Sequence, residues 1–386
     1  MGMGKEESYV CPRCGNRDPR YFGVIGGRVY CRKCISFVGA KAEQLPSVPK
    51  EVKLNLHYSL SKEQKKISDK IVYNFRHGID TLVYAVCGSG KTEISYGVIS
   101  YAMEHGLSVG FALPRRDVVI ELYWRLKDAF PLNRVVAVYG GHTSCLEGDV
   151  VVLTTHQLYR YNRYFDLLVM DEIDAFPFKG NDTLIAFYKA SLRGHCLMMS
   201  ATPSKEILLE YKKPGHDIQE LRTRFHKNPI PVPSIVYRPS FGQPLYVVRW
   251  LMKFGRLSKP CLVFVPSIAK SRELYEFTSL FLKRGNYVNS RREERDLVID
   301  SFKKGLTGYL ITTSVLERGV TIRDLQVLVM GADSQRVYPS STLIQIAGRA
   351  GRKSDAPTGE VVFLSEKETE GMRDAIDEIR FCNTFL

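Results

Sequence analysis

Apolar residues come in short unbroken runs, each followed by a longer stretch where they recur every three or four positions. Short runs bounded by polar turns predict strands buried on both faces, and the 3.6-residue spacing predicts helices packed over them. Between 60 and 205 the predicted strands are 82–86, 109–113, 135–139, 150–154, 167–170 and 196–200. The alternation lapses over 206–235, where Pro214, Pro229, Pro231 and Pro233 accumulate; this stretch reads as a connector. From 236 it resumes, with strands predicted at 262–265, 309–312, 327–330 and 361–364. Helices are predicted at 269–282, 293–303 and 343–347, and a further helical pattern covers 372–381. Such alternation predicts an α/β chain with two parallel sheets in tandem, 60–205 and 236–386, each covered by helices.

The first 40 residues differ: they are rich in Cys, Gly and Arg with little helical periodicity, and 41–59 read as a linker. Their cysteines follow C-x2-C-x16-C-x2-C, namely Cys11, Cys14, Cys31 and Cys34. Four thiolates at that spacing suit tetrahedral Zn²⁺ in a zinc-ribbon-like module, whose metal supplies the folding free energy a small core cannot. A redox dithiol is the alternative. The other five of the nine cysteines show no pairing logic, a pattern of reducing compartments such as the cytosol.

At 386 residues, 44% apolar and 25% charged, the chain has room for two or three domains. No apolar run approaches the roughly 20 residues of a membrane span, and no secretory signal is expected from MGMGKEESYV. The net charge of +14 implies an anionic partner, nucleic acid foremost, with a basic surface for solubility or anionic lipid as the other readings.

The chemistry concentrates where predicted strands end. The octet AVCGSGKT, 85–92, stands between a strand and a helix, where backbone N–H groups of a Gly-rich turn cradle phosphates. Ala85 opens it; Gly88, Ser89 and Gly90 shape the turn, Lys91 reaches the β- and γ-phosphates of ATP, and Thr92 ligates Mg²⁺. The run 165–170 ends in Asp171-Glu172, suited to hold Mg²⁺ and to activate the attacking water, respectively. Ser200-Ala201-Thr202-Pro203 follows another run and suits coupling of ATP to interdomain closure. In QIAGRAGRK, 345–353, Arg349 and Arg352 would share a face if the segment is helical, with Arg352 the better candidate to reach the γ-phosphate as an arginine finger.

Other strand ends carry groups that grip a nucleic-acid backbone: Pro114-Arg115-Arg116, Thr154-Thr155-His156-Gln157 and Thr312-Thr313. Each is equally readable as ordinary loop polarity.

Together, AVCGSGKT, DEID, SATP, TTSVLERGV (312–320) and QIAGRAGR resemble the superfamily-two helicases and translocases over roughly 60–365. That resemblance implies two RecA-like domains meeting around ATP, with Gln64 as adenine reader and Gly319 and Gln345 in the nucleotide site. Ala85 is a variation that nucleic-acid-dependent ATPases often tolerate. The N-terminal cysteines combined with DEIDAFPFKG, RFHKNPIPVP (224–233) and LERGVTI (316–322) are similar to the competence-associated translocase family ComFA. The PriA replication-restart helicases are the alternative, but they carry their cysteines within the second half. The ComFA resemblance implies an ATPase stimulated by single-stranded DNA, cytoplasmic at the inner face of the membrane. It further implies association with other late-competence proteins and homo-oligomeric ring assembly. An ATP-gated DNA adaptor without directional movement, or an RNA remodeller, are the rival activities.

Overall fold

The apolar runs become strands because each is buried on both faces. In the computed structural model, β4 (Val109–Leu113), β6 (Val150–Thr154) and β14 (Gln326–Met330) are buried at every position. The structure describes residues 9–44, 46–56, 59–86, 88–172, 178, 180–224, 227–289, 291–292, 294–313, 322–353 and 355–385. They divide into two compact units. One takes the described residues through Ala85 together with Gly90–Leu221; the other takes Val86–Ser89 together with those from Arg222 onward.

The first unit begins with a two-stranded antiparallel hairpin, β1 (Phe22–Ile25) and β2 (Arg28–Cys31). Its main sheet adds β3 (Asp80–Ala85), β5 (Val135–Val138), β7 (Phe165–Asp171), β8 (Leu192–Ser200) and β9 (His216–Leu221) to β4 and β6. The order is β5-β6-β4-β7-β8-β3-β9, and every pairing is parallel. The helices are α1 (Lys62–Arg76), α2 (Lys91–Ile94), α3 (Tyr96–Glu104), α4 (Arg116–Ala129), α5 (Asp182–Ser191) and α6 (Lys205–Glu210). The apolar stripe of α1 buries Ile67 and Ile71 in a core with Val83, Ile99 and Leu197. The stretch read as a linker is laid along this unit: Lys50 N–H donates to Met103 O at 3.0 Å and Asn55 N–H to Ala129 O at 2.8 Å.

The second unit has β10 (Ser234–Tyr237), β11 (Cys261–Phe264), β12 (Gly285–Val288), β13 (Tyr309–Thr312), β14 and β15 (Val361–Ser365). They form a parallel sheet of order β10-β15-β14-β11-β13-β12. Around it lie α7 (Gln243–Arg256), α8 (Ile268–Ser279), α9 (Arg295–Lys303), α10 (Ser340–Ala347) and α11 (Glu370–Asn383). The α/β class and the tandem sheets are as expected. Differences fall at polar edges: α6 and β9 occupy part of the stretch read as connector. β9, with the sequence HDIQEL, is a half-buried edge strand whose polar residues hide the period.

Candidate nucleotide, metal and nucleic-acid sites

The turn joining β3 to α2 carries the phosphate-loop residues. Gly88 and Gly90 both take φ +82°, a left-handed conformation that side-chain-bearing residues adopt at a cost, and Gly90 caps α2. Ser89 is buried, while Lys91 and Thr92 are half-buried in the first turn of α2. Gln64 lies against the loop: a Cβ on Gly90 would come within 2.5 Å of its Nε2. Ala85 ends β3, fully buried.

Register sets what stands beside this turn. β8 lies between β3 and β7, with Tyr84 opposite Ser200 and Met199 opposite Asp171. The phosphate turn, the start of Ser200-Ala201-Thr202 and the Asp171-Glu172 pair therefore leave adjacent strands on the same sheet edge. In an open parallel sheet this carboxyl edge is where ligands bind. Glu172 sits at φ +59°, a strained conformation for a residue with a side chain, and its N–H donates to Asp171 Oδ1 at 2.8 Å. The five residues that follow the pair in the sequence lie outside the described residues, as does Gly319.

In the second unit Gln345 is buried within α10, which ends at Ala347. Arg349 and Arg352 therefore belong to the turn beyond the helix and do not share a helical face. Arg349 is 5% exposed and Arg352 half-buried. Gly351 takes φ +61°, and a Cβ there would lie 2.1 Å from Pro357 O. The turn is gripped by Arg224, the first residue of RFHKNPIPVP, to which sequence reasoning gave no role of its own because an arginine in a proline-rich stretch looks like any surface arginine.

Cys11, Cys14, Cys31 and Cys34 are buried and free of disulfides, and their sulfurs all lie within 4.8 Å of one another. Cys11 Sγ is 3.6 Å from Cys34 Sγ, and Cys14 Sγ 3.7 Å from Cys31 Sγ. Tetrahedral zinc with Zn–S near 2.3 Å requires sulfur pairs about 3.8 Å apart, so the donor set fits. The module is not a separate bead. Phe37, just past the last cysteine, meets His156, Tyr159 and Phe187 at ring-centroid distances of 6.3, 5.6 and 4.9 Å. Tyr159 Oη then donates to Val38 O (2.5 Å), Arg160 Nη1 to Ala40 O (2.7 Å) and Ala42 N–H to Arg160 O (3.1 Å).

The expected nucleic-acid grips occupy varied settings. β4 and β6 pair Leu113 with Thr154, so Pro114-Arg115-Arg116 and Thr155-His156-Gln157 leave neighbouring strands. Pro114 is buried, Arg115 half-buried, and Arg116 exposed with its guanidinium 5.1 Å from the Tyr139 ring centre. Thr154, Thr155 and Gln157 are buried, and Gln157 Oε1 accepts from Arg160 Nε at 2.6 Å. Burial pushes the His156 imidazole down from its usual range, favouring a neutral stacking ring over a cation. Thr312 is fully buried at the end of β13, its hydroxyl donating to the O of half-buried Thr313 at 3.0 Å.

Residues 61–209 match the DEAD/DEAH box helicase family and 247–354 the helicase conserved C-terminal domain. The fold also matches S. cerevisiae Dbp5 bound to RNA and ADP BeF3, at a TM-score of 0.62 and 16% identity, over 85% of this chain and 93% of that one. The two sheets are thus RecA-like domains, and the protein is a nucleic-acid-dependent ATPase of helicase superfamily two. The competence protein ComFA of Bacillus subtilis (strain 168) is 34% identical across 97% of this chain and 86% of its own length. That of Streptococcus pneumoniae (strain ATCC BAA-255 / R6) is 32% identical across 99% and 92%. The chain belongs to the ComFA family.

Proposed function

We propose that the protein is an ATP-driven motor that draws single-stranded DNA inward during natural transformation. The observation carrying this reading is the shared sheet edge of β3, β8 and β7, where the phosphate turn, the Ser-Ala-Thr run and two carboxylates converge. In this reading Gln64 reads adenine, while the turn through Gly88, Ser89 and Gly90, with Lys91, binds the triphosphate. Thr92 and Asp171 hold Mg²⁺, which screens phosphate charge, and Glu172 takes a proton from the attacking water. Arg349 and Arg352 would neutralise charge developing on the γ-phosphate, with Arg352 as the arginine finger. Gly319 and Gln345 complete the nucleotide site.

Zn²⁺ is the proposed occupant of the four-cysteine cluster, with a structural role. Arg115, Arg116, Thr154, Thr155, His156, Gln157, Thr312 and Thr313 mark the proposed path of the strand. The buried members act there by shaping the strand ends, and Arg116 by pairing with phosphate. The +14 net charge favours such a polyanionic partner. Among the described residues no helix is long and apolar enough to cross a membrane. Placement at the inner membrane face, among other late-competence proteins and as a homo-oligomer, is proposed from the kinship with ComFA.

The test pairs ATP turnover, with and without single-stranded DNA, with displacement of a triplex-forming strand ahead of the motor. The motor reading expects DNA-stimulated turnover and ATP-dependent displacement. Stimulated turnover without displacement would instead identify a nucleotide-gated adaptor, and stronger stimulation by RNA of equal length an RNA remodeller.

A further inference from the structure

Arg224 is 2% exposed, an unusual place for a guanidinium, whose burial is costly unless strong partners meet it. Its Nη1 donates to Ala350 O at 3.1 Å and to Gly351 O at 2.6 Å, and its Nη2 to Gly348 O at 3.0 Å. These carbonyls lie just beyond the end of α10, where the helix lacks backbone donors and the dipole favours a cation. The planar fork of arginine spans several acceptors at once, which a lysine ammonium cannot do in the same geometry.

Further along the chain, Ile230 and Pro231 are held in the same unit. Ile230 N–H donates to Asn383 Oδ1 at 2.8 Å, and Ile230 O accepts from Asn383 Nδ2 at 2.9 Å. Pro231 packs close behind Gly351, its Cγ 3.3 Å from where a Cβ would stand. Gly348 caps α10 in right-handed conformation, and Gly351, three residues further on, takes the left-handed backbone that turns the chain. A buried charge exceeds what mere helix termination requires. What it adds is rigidity in the five residues 348–352, the turn that holds Arg349 and Arg352.

We infer that Arg224 is a positioning residue for the Arg349–Arg352 turn, and that it governs the rate of γ-phosphate cleavage more than the binding of ATP or DNA. This rests on the reading of Arg352 as the group that meets the γ-phosphate. Held by three carbonyl bonds and a proline wall, the turn presents Arg352 in one orientation. With the bonds gone, the same guanidinium samples many orientations. Misplacement by about 1 Å costs on the order of 10²-fold in rate.

The experiment uses the full chain and measures kcat and KM for ATP at saturating single-stranded DNA, alongside thermal unfolding. Arg224→Gln should lower kcat on the order of 10²-fold while KM and DNA affinity stay within about threefold. Arg224→Lys should recover part of the rate but remain about tenfold slow. Combined with Arg352→Ala, Arg224→Gln should add no further loss, because the group it orients is gone. Wild-type kcat in Arg224→Gln, with Arg352→Ala slow, would overturn the positioning role and leave the Arg352 reading standing. Wild-type kcat in Arg352→Ala would remove that reading instead. If Arg224→Gln fails to fold, Arg224→Lys decides: wild-type rate in the folded variant, or loss of folding in both, would overturn the inference.

Discussion

Ser61 and Gln64 close a reciprocal cap at the start of α1: Ser61 Oγ accepts from Gln64 N–H at 3.2 Å, and Gln64 Oε1 from Ser61 N–H at 2.8 Å. The cap fixes the amide carbonyl and leaves the amide nitrogen turned toward Gly90. Helix initiation and the phosphate turn are thereby joined through one side chain.

Gly90→Ala should weaken ATP binding at least tenfold. The new methyl would meet Gln64 Nε2 at 2.5 Å, and the left-handed backbone adds about 1–2 kcal/mol of strain. Adding Gln64→Ala removes the clash and leaves the strain, so affinity should recover only in part. Gln64→Ala alone should erode the preference for ATP over GTP. Titration with fluorescent nucleotides reads all three variants, and an unchanged preference in Gln64→Ala would count against adenine reading.

Lys91→Ala and Glu172→Gln should each bring ATP turnover to background. Glu172→Gln keeps nearly the same shape in its strained position, so its unfolding temperature should stay within about 2 °C of wild type. Its metal content should not change. Phosphate release measured with single-stranded DNA present would refute the assigned roles if either variant ran at the wild-type rate.

The full chain purified with zinc should carry one equivalent of the metal by elemental analysis, and Cys11→Ser should lose it. Metal of this kind contributes roughly 10–16 kcal/mol to folding in related small modules. Chelation should therefore unfold the hairpin of β1 and β2 while leaving the sheet of β3–β9 intact, as judged by circular dichroism and hydrogen exchange. A metal-free wild-type chain with a protected hairpin would contradict the zinc assignment.

Phe37→Ala should retain zinc yet loosen the segment 37–44 from the turn at Thr155–Arg160. The ring is half-buried, so the loss should be about 2 kcal/mol, less than for a fully buried phenylalanine. Exchange of the Ala42 amide, bonded to Arg160 O, should accelerate more than tenfold. Unaltered protection at Ala42 would mean that the aromatic contacts do not hold the segment.

Legibility followed burial. Runs such as 109–113 and 150–154 matched their strands residue for residue, because a strand covered on both faces must be apolar throughout. The edge strand His216–Leu221 and the four-residue Gly285–Val288 carry too little apolar pattern to stand out. The Gly-rich turn between β3 and α2 and the strand-end position of Asp171 were readable because local backbone conformation dictates their residue types. Arg224 was not: its partners lie 124 to 127 residues away, and one cation among many has no spacing to betray it. Likewise, the three-residue spacing of the two arginines in QIAGRAGR implies a shared face only if the segment is helical, and the helix stops at Ala347.

The contacts that Phe37 makes with Tyr159 and Phe187 bear on where this protein can be cut. A truncated enzyme beginning just ahead of α1 would leave those rings wet and strip Arg160 of its acceptor at Ala40. The cysteine-bearing segment thus serves as part of the wall of the first ATPase lobe, and trimming it away would yield an aggregation-prone fragment in place of a minimal ATPase.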